Sequence, residues 1–372
     1  MRAAIVHYWL LGMRGGEAVV ESLCRLLPSA DIFTLFYDPS RVSDIIRSRR
    51  VTASYLNPLR RRHRALLPWM PSALENFDLR GYDLVISSES GPAKGVLTPS
   101  AARHICYCHT PMRYLWELYP AYLNDWVRGP FKRALVRAAA HRLRLWDFAS
   151  AARVDRFLAN SENVRRRIWK TYRRASDVVH PPVPVETFFH RPAGDYFLSV
   201  AELVEYKQLD YAVRLFARTG RKLRIVGDGP LYRTLKRQAG PSVEFCGRVS
   251  PDELRQLYAR SRALVVPGEE DFGIAMVESL ASGKPIIGLA RGGVLEIAPP
   301  GAGRFSVLYD NASEADLENG LERFEACEAD FIPHRLQARA ERFSERRFHE
   351  KMQSAIASPE DSRVDSSFCP QP

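Results

Sequence analysis

The fold of this 372-residue chain is decided by the stretch Pro267-Gly268-Glu269-Glu270-Asp271-Phe272-Gly273-Ile274-Ala275-Met276-Val277-Glu278. An apolar run precedes it and a helical pattern follows it, which predicts a strand, a loop and a helix in that order. Gly273 lets a ligand approach the backbone closely, and the free N–H groups of a helix start suit a diphosphate. Glu270 in the loop and Glu278 about a turn into the helix are good acceptors for sugar and ribose hydroxyls. Two glutamates eight positions apart would mean little without these surroundings.

Short apolar runs alternate with longer helical patterns along the whole chain, as in doubly wound α/β sheets. The runs that predict strands are Ala3–Val6, Asp31–Leu35, Leu84–Ser87, His104–Cys108, Arg156–Ala159, Tyr196–Val200, Arg224–Val226, Val243–Phe245, Ala263–Val266, Pro285–Gly288 and Ser306–Tyr309. The patterns that predict helices include Gly16–Leu27, Lys132–Ala152, Tyr211–Thr219, Pro230–Arg237, Pro251–Arg260, Ala275–Ala281 and a charged stretch from Ala315 to Ala357. We therefore predict an α/β protein.

Three prolines between His180 and Pro184 stop any helix and stiffen the backbone, which predicts a linker between two domains. We predict one Rossmann-like domain over residues 1–184 and a second over 185–340, both doubly wound and facing a central cleft. A helix over 341–357 is expected to pack back on the first domain. Residues 358–372 are polar and proline-containing, and we expect them to form a disordered tail.

The decisive stretch, with Ser279–Pro285 and Gly292-Gly293 after it, closely resembles the signature of the retaining glycosyltransferases of family four, which have the GT-B fold. Further segments match that family across nearly the whole chain: Gly227–Pro230, Phe245–Val249, the opening loop with Gly12, Gly15 and Gly16, and Cys108–Tyr114. The sequence around residues 31–39, 81–88 and 105–114 most resembles that of the mannosyltransferases of bacterial O-antigen and exopolysaccharide assembly. The resemblance implies an acceptor-side first domain and a nucleotide-sugar-binding second domain.

The resemblance also implies a role for each matching position. Glu270 would hold hydroxyls of the donor sugar, and Glu278 would hold the ribose. The backbone N–H groups of Phe272, Gly273 and Ile274 would bind the diphosphate. No carboxylate stands out as a nucleophile, since Glu270 is expected to bind sugar hydroxyls. The family relationship therefore favours same-face attack, in which the leaving phosphate helps to deprotonate the acceptor.

In the first domain, Gly15 and Gly16 would approach the same phosphates, and His109 would lie near the donor sugar on the acceptor side. The alternative for His109 is an ordinary histidine at the end of a strand. The remaining donor-binding positions that the resemblance implies are Gly227, in the loop after a strand, and Arg248 and Val249, beside the base.

The segment Val200–Lys207 departs from the family pattern. Family members usually place an Arg and a Lys five residues apart here, and both grip the diphosphate. Lys207 is in place, but Glu202 occupies the usual arginine position. The loss of such a contact is worth on the order of 3–4 kcal/mol in a transition state. A milder departure is Glu89-Ser90-Gly91-Pro92 before Lys94, in a region expected to face the acceptor.

Three functions are compatible with these observations. The first is a transferase that moves a hexose, with GDP-mannose as the expected donor, to a saccharide acceptor linked to a lipid diphosphate. No cofactor or metal is expected if Lys207 and backbone N–H groups carry the charge. The second is a non-catalytic or weakened homologue that binds nucleotide sugar or a partner enzyme, which Glu202 motivates. The third is a nucleic-acid-binding protein, for which the sequence has no motif.

The net charge of +11 is concentrated in the first half of the chain. Around Leu56–Leu74, the arginines Arg60, Arg61, Arg62 and Arg64 are interleaved with Leu59, Leu66, Leu67, Trp69 and Met70. Basic residues beside Trp and Leu suit an anionic lipid surface, and a solvated basic loop over a core edge is an equal alternative. We expect a cytoplasmic protein, peripheral at the inner face of the cytoplasmic membrane, with no nucleic-acid partner.

The six cysteines are scattered through a chain without an evident secretion signal, so we expect reduced thiols. His104, Cys106, Cys108 and His109 lie close together in the sequence and could be considered as metal ligands. In a strand, however, His104, Cys106 and Cys108 share one face as ordinary wall residues. We therefore predict no metal site.

Overall fold

The computed structural model describes residues 1–123, 127, 129–301 and 303–358. The chain divides into two compact units between His180 and Pro181, inside the predicted proline linker. Unit 1 comprises Met1–His180 and the described residues after Phe348, and unit 2 comprises Pro181–Phe348. Each unit contains its own parallel sheet, which confirms the prediction of two Rossmann-like α/β domains.

Unit 1 is built on a seven-stranded sheet in the order β3-β2-β1-β4-β5-β6-β7. Its strands are β1 (Ala3–Leu10), β2 (Asp31–Tyr37), β3 (Val51–Ala53), β4 (Leu84–Glu89), β5 (Arg103–Cys108), β6 (Arg156–Ala159) and β7 (Ser176–Val178). Its helices are α1 (Gly15–Leu26), α2 (Asp44–Arg47), α3 (Met70–Glu75), α4 (Tyr119–Ala121), α5 (Pro130–Ala151) and α6 (Glu162–Tyr172), with 3-10 helices at Pro39–Arg41, Asn57–Trp69 and Ala93–Gly95. The order reverses at β1 and β4, so the loops that follow these two strands lie where ligands bind in such sheets.

Unit 2 is built on a six-stranded sheet in the order β10-β9-β8-β11-β12-β13. Its strands are β8 (Tyr196–Val200), β9 (Lys222–Val226), β10 (Val243–Gly247), β11 (Leu264–Val266), β12 (Ile286–Leu289) and β13 (Ser306–Tyr309). Its helices are α7 (Leu209–Thr219), α8 (Tyr232–Gln238), α9 (Pro251–Arg260), α10 (Ile274–Ala281), α11 (Val294–Ile297), α12 (Glu314–Cys327) and α13 (Pro333–Ala340), with 3-10 helices at Val185–Thr187, Glu205–Lys207, Glu328–Asp330 and Glu341–Phe343. The reversal here falls at β8 and β11.

The helix ends follow from local sequence. Ser250 accepts a hydrogen bond from the backbone N–H of Glu253, and Pro251 occupies the first turn, so α9 begins where the sequence predicts. Ser161 caps α6 in the same way through Val164. Gly220, at φ +70°, ends α7.

The last helix, α14, runs over Glu345–Ala357 and begins four residues after the predicted start at 341. Its residues from His349 onward belong to unit 1. His349 Nε2 lies 2.9 Å from Ser22 Oγ, and Arg103 donates a hydrogen bond of 2.7 Å to the carbonyl of Ile356. Residues 359–372, which contain nearly all of the predicted tail, lie outside the described residues.

The basic segment within Leu56–Leu74 forms the kinked 3-10 helix Asn57–Trp69 and then enters α3. Leu66, Leu67 and the buried Met70 pack against the core of unit 1, whereas Leu59 and Trp69 are exposed. Part of this segment therefore covers a core edge and part faces solvent. In the described part of the chain, no helix is both long enough and apolar enough to cross a bilayer.

Candidate functional site

In unit 2, the loops after β8 and β11 lie side by side at the carboxyl edge of the sheet, because these two strands are neighbours. The loop after β8 ends in the 3-10 turn Glu205–Lys207, and the loop after β11 leads into α10. The two loops touch at Gly268, where a side chain would meet the carbonyl oxygens of Tyr206 and Lys207 at 2.7 Å. Only glycine permits this approach, and it brings Lys207 beside the loop that carries Glu270.

The loop that carries Glu270 is also held from the other side. Glu270 forms a parallel bridge with Gly292, and Gly293 donates a hydrogen bond of 2.9 Å to the carbonyl of Glu270. A side chain at Gly293 would lie 1.9 Å from the carbonyl oxygen of Phe272, so this position also requires glycine. The Gly292-Gly293 motif therefore fixes the backbone beneath the candidate donor site.

Lys207 Nζ forms a short ion pair with Glu270 Oε2. The exposed fractions of the two side chains are 16% and 19%, so the pair is partly shielded from water but open to a ligand. Burial alone would lower the pKa of Lys207, but the Glu270 charge and the neighbouring Tyr206 and Asp271 outweigh it, and the pKa is raised. Lys207 is therefore a full positive charge at neutral pH.

A small cavity of about 10 Å³, room for a single water, lies beside this pair. Lys207, Glu270 and Gly273 contribute to its walls, together with the end of β8. Three of the residues to which the family resemblance assigns a role in donor binding therefore line the same cavity.

Helix α10 begins immediately after Gly273, which has a φ of +101°. This left-handed conformation turns the chain sharply from the loop into the helix. The Phe272 ring is buried and packs edge-on against Phe343 with 5.6 Å between centroids, so only the backbone of Phe272 is available to a ligand. In the first turn, the N–H of Met276 donates a hydrogen bond of 2.9 Å to the carbonyl of Gly273, and the N–H groups of Ile274 and Ala275 lie at the helix end that favours anions.

Glu278 lies on α10 and accepts a hydrogen bond of 2.8 Å from the hydroxyl of Tyr258. Burial raises the pKa of Glu278, and the Tyr258 hydrogen bond opposes that rise. Tyr258 is fully buried on α9, so it fixes one carboxylate oxygen of Glu278 in place. No sequence pattern indicates this partner, since Tyr258 resembles any apolar core position of α9.

Gly227 and Arg248 follow the ends of β9 and β10. The N–H of Gly227 donates to the carbonyl of Gly247 at 2.8 Å, and a side chain at Gly227 would lie 1.9 Å from the carbonyl oxygen of Ala201. Arg248 is exposed, with Nε 3.7 Å from Asp228 Oδ2, while Val249 packs partly against the core of unit 2. All three therefore lie at the same sheet edge as Lys207.

Glu202 lies in the loop after β8, as the sequence predicts. Its carbonyl accepts a hydrogen bond of 2.9 Å from the N–H of Val204, which makes a tight turn. Its charge acts on the Tyr206 hydroxyl, whose pKa is raised by burial first and then by the nearby carboxylates of Glu270 and Glu202. Lys207 therefore lies close to several carboxylates at this edge, including those of Glu202 and Glu270. Arg291, an exposed residue next to Gly292, adds a further cation to Lys207 and Arg248 at this edge.

In unit 1, His109 follows β5 and its Nε2 lies 2.9 Å from Ser88 Oγ at the end of β4. Ser88 also uses its carbonyl oxygen, which lies 2.9 Å from Nδ1 of the fully buried His7. A carbonyl can only accept, so Nδ1 of His7 carries the proton. The parallel pairing of β1, β4 and β5 thus links His7, Ser88 and His109 in one network.

The first turn of helix α1 packs against the two histidines of this network. A side chain at Gly16 would lie 3.4 Å from Cε1 of His7 and 3.9 Å from Nε2 of His109, so the helix start sits against both rings. Helix α1 begins at Gly15. The buried Glu17 accepts a hydrogen bond of 3.0 Å from the N–H of Arg14, and its Oε1 lies 4.0 Å from His7 Nε2.

The two histidines of this network are electrically neutral at pH 7. Burial, and then the neighbouring His109, lower the pKa of His7 to about 3. Burial lowers the pKa of His109 to about 4 and raises that of Glu17 to about 7. His109 is therefore a neutral imidazole under physiological conditions and can exchange hydrogen bonds without carrying charge.

Glu89 and Lys94 belong to the segment that is expected to face the acceptor, but their own side chains point into the core of unit 1. Both side chains are fully buried, and Lys94 Nζ forms a short ion pair with the buried Asp147 and lies 3.5 Å from Glu89 Oε1. Asp147 also accepts hydrogen bonds from Trp116 and Tyr172. Glu89 points inward because alternate residues of a strand point to opposite faces, and its neighbour Ser88 takes the face toward His109.

The residues considered as metal ligands are wall residues of unit 1. His104 Nε2 lies 2.9 Å from Ser87 Oγ, and Cys106 and Cys108 are buried in a hydrophobic cluster beneath α6. Within residues 1–123, 127, 129–301 and 303–358, no three His, Cys, Asp or Glu side chains group closely enough to hold a metal ion. The cysteines of this part of the chain are free thiols.

Comparison with known proteins identifies the family of this chain. Residues 13–187 match the model of Glycosyltransferase Family 4, and residues 188–346 match that of Glycosyl transferases group 1. The two matches are consecutive and together cover both units. The chain belongs to the family-four glycosyltransferases, and its fold is GT-B, as the sequence predicted.

Several relatives are similar over part of the chain. An uncharacterized glycosyltransferase of Methanocaldococcus jannaschii is 26% identical over 152 residues, 40% of this chain and 43% of that protein. A GDP-mannose-dependent alpha-mannosyltransferase of Corynebacterium glutamicum is 36% identical over 103 residues, 27% of this chain and 25% of that protein. The chain thus spans less than half the length of these curated relatives.

Solved structures resemble the whole chain. Anabaena HepE in complex with UDP superposes with a TM-score of 0.69 over 96% of this chain and 100% of that chain, at 14% identity. At this identity the likeness concerns the fold.

Proposed function

We propose that this chain is a retaining glycosyltransferase that moves mannose from GDP-mannose to a saccharide acceptor carried on a lipid diphosphate, in the synthesis of a bacterial surface or exopolysaccharide. Family membership supports glycosyl transfer. The similarity to a GDP-mannose-dependent enzyme supports the choice of donor, although that match covers 27% of the chain. The solved relative with UDP makes the uridine nucleotides the first donors to compare with GDP-mannose.

The observation that carries the proposal is the Lys207–Glu270 pair beside the first turn of α10. A nucleotide-diphosphate sugar contains an anionic diphosphate and a neutral polyol, which need different binding groups. Lys207 and the first amides of α10 match the diphosphate, and Glu270 matches the hydroxyls. Lys207 and Glu270 are also each other's ion-pair partners.

We propose that Glu278 binds the ribose, with Tyr258 holding one of its carboxylate oxygens and the other accepting from a ribose hydroxyl. Gly227, Arg248 and Val249 are proposed to lie beside the rest of the nucleotide. In unit 1, we assign to His109, Gly15 and Gly16 the roles that the family resemblance implies.

In the proposed reaction, the bond from the anomeric carbon to the diphosphate oxygen breaks as the acceptor oxygen attacks the same face of the sugar. The acceptor hydroxyl gives its proton to the departing phosphate oxygen. Lys207 and the helix amides stabilise the negative charge that develops on the diphosphate, which is the largest electrostatic demand of the step. Glu270 holds the sugar while its ring carries positive charge. We propose that the step requires no metal ion.

A weakened or non-catalytic homologue is the second candidate. It is favoured by Glu202, whose carboxylate stands where a second cation would otherwise neutralise the leaving group. In this alternative, the chain binds a nucleotide sugar or a partner enzyme through the same loops without efficient transfer.

The two candidates are separated by measuring binding and turnover of a panel of GDP- and UDP-sugars, with and without a chelator. Turnover of GDP-mannose that is unchanged by chelator is the expected result. Binding without turnover would favour a non-catalytic homologue that binds nucleotide sugar. The absence of binding to every donor would contradict the transferase and favour a homologue that binds a partner enzyme.

A further inference from the structure

Helix α5 presents a mostly apolar face to solvent. The exposed fractions are 83% for Phe131, 62% for Leu135, 59% for Leu145 and 50% for Phe148. Their helical spacing places these residues on one side of the helix, together with the exposed Ala138. Single exposed apolar side chains are ordinary, but several on one helix face mark an interaction surface.

The opposite face of α5 anchors the helix to unit 1. Ala140 and Leu143 pack in a cluster with Met112 and Leu115, and Trp146 donates a hydrogen bond of 2.8 Å to Glu75. The helix is therefore firmly docked, and its exposed apolar face does not result from loose packing.

The surroundings of this face are strongly basic. Helix α5 carries five cationic side chains, Lys132, Arg133, Arg137, Arg142 and Arg144, and its one acidic residue, Asp147, is fully buried. The neighbouring segment Asn57–Trp69 adds four arginines and no acid, and its Leu67 packs against the α5 cluster. That segment also exposes Leu59 and Trp69, at 54% and 56%.

We propose that the exposed face of α5, extended by Leu59 and Trp69, binds the surface of a bilayer that contains anionic phospholipid. Phe131, Leu135, Leu145 and Phe148 enter the boundary between headgroups and acyl chains, and the flanking cations bind lipid phosphates. The inference deepens the proposed function, on which it rests for the presence of a lipid-linked acceptor.

Charge decides between a membrane and the other occupants. A second copy of the chain would bring two sets of nine Lys and Arg side chains together, and like charges oppose that association. A nucleic acid would satisfy the cations but would leave four large apolar side chains against its phosphates. An anionic bilayer alone satisfies both the apolar and the cationic side chains.

The test is co-sedimentation of the full chain with phosphatidylcholine vesicles and with vesicles that also contain phosphatidylglycerol. We expect binding to the mixed vesicles, little binding to phosphatidylcholine alone, and a loss of binding with added salt. The double variant Leu135→Gln/Leu145→Gln should bind the mixed vesicles at least about tenfold more weakly, because two leucines no longer leave water. Lys132→Glu/Arg137→Glu/Arg142→Glu should lose the preference for anionic lipid.

The matched control is Leu97→Gln/Leu295→Gln, which changes two leucines that are 48% and 39% exposed elsewhere in the chain. It should bind vesicles as the unaltered protein does. All substituted positions are exposed, so thermal unfolding midpoints should stay close together and exclude misfolding as the cause.

The proposal is overturned if the unaltered chain ignores anionic vesicles, or if the α5 double variant and the control bind equally well. It is also overturned if sedimentation velocity shows an α5-dependent dimer that does not bind vesicles. Because the readout is lipid binding, failure of sugar transfer would overturn the proposed function and leave this result intact, and the reverse also holds.

Discussion

Ser88 Oγ lies 2.9 Å from Nε2 of His109, and the same residue accepts from His7 through its carbonyl oxygen. One serine at the end of β4 thus orients the imidazole that follows β5. Since burial lowers the pKa of His109 to about 4, the ring is neutral, and its orientation rather than its charge determines what it can do.

Replacing Ser88 by Ala should lower kcat/KM several-fold, because one hydrogen bond of about 1 kcal/mol no longer holds His109 in place. His109→Ala should cost more, on the order of 10²-fold. Steady-state kinetics with the donor that the panel of GDP- and UDP-sugars selects measures both. The control is Ser87→Ala, because Ser87 makes an equivalent 2.9 Å contact with His104 on the other face of β4. If Ser87→Ala lowers turnover as much as Ser88→Ala, the effect is one of stability.

The Lys207–Glu270 pair should be essential to turnover. Lys207→Ala and Glu270→Gln should each reduce kcat/KM by on the order of 10²–10³-fold, because one removes charge from the diphosphate side and the other removes a sugar acceptor. The double variant should lose less than the product of the two, since the residues act as a unit. The pair Arg221–Glu325, with 2.8 Å between charged atoms on the surface of unit 2, provides the control variants Arg221→Ala and Glu325→Gln. Equal losses in both pairs would contradict the assignment.

Glu202→Arg should raise kcat/KM by about tenfold or more if the carboxylate weakens an active enzyme, because it exchanges repulsion of the diphosphate for attraction. Glu205→Arg makes the same charge change in the same loop and should leave turnover unaltered. No gain from Glu202→Arg would mean that another cation already neutralises the diphosphate, and the exposed Arg291 would then be the first candidate. Arg291→Gln in the unaltered background would test that role.

Stability should depend on pH through the buried group Glu89–Lys94–Asp147. Burial raises the pKa of Glu89 to about 7, and Lys94 only partly offsets that rise. Below pH about 4.5 the carboxyl is protonated in both the folded and the unfolded chain. Between that pH and 7, the Glu89 carboxyl is ionised in the unfolded chain but still protonated in the folded chain. The free energy of unfolding therefore falls as pH rises through this range.

Glu89→Gln should remove this component of the pH dependence, so thermal unfolding of the variant should change less than that of the unaltered chain between pH 5 and pH 7. Glu17, whose pKa is also raised to about 7, contributes equally to both proteins and cancels in the comparison. Asp147→Asn should instead be destabilising by about 3–5 kcal/mol, because it leaves the Lys94 ion pair broken in the core. Parallel pH profiles for Glu89→Gln and the unaltered chain would contradict the raised pKa.

Most of the fold could be predicted because its strands are buried on both faces and read as continuous apolar runs. All eleven predicted strands are present. The two missed strands, Val51–Ala53 and Ser176–Val178, lie at the two edges of the unit 1 sheet and are three residues long. Short, half-exposed edge strands lack an apolar run, so periodicity gives no signal for them.

The site could be predicted where a local motif determines the backbone, as at Gly268–Glu278. It could not be predicted where residues distant in sequence come into contact through strand pairing. His7 and Ser88 come together with His109 because β1, β4 and β5 pair in parallel, which no local pattern records. His7 interrupts an otherwise apolar strand, and that was the available signal. The direction of the Glu89 side chain, which is buried in the core of unit 1, also depends on strand register and could not be read from the local sequence.

The anomeric configuration of the product formed from GDP-mannose decides whether this chain is a retaining mannosyltransferase. With methanol added as a simple acceptor, the methyl mannoside can be assigned by proton NMR without loss of configuration. Transfer with retention predicts the α-mannoside from the α-linked donor, lost in Glu270→Gln. Formation of the β-mannoside would contradict the proposed chemistry, and failure to bind any nucleotide sugar would contradict the proposed function itself.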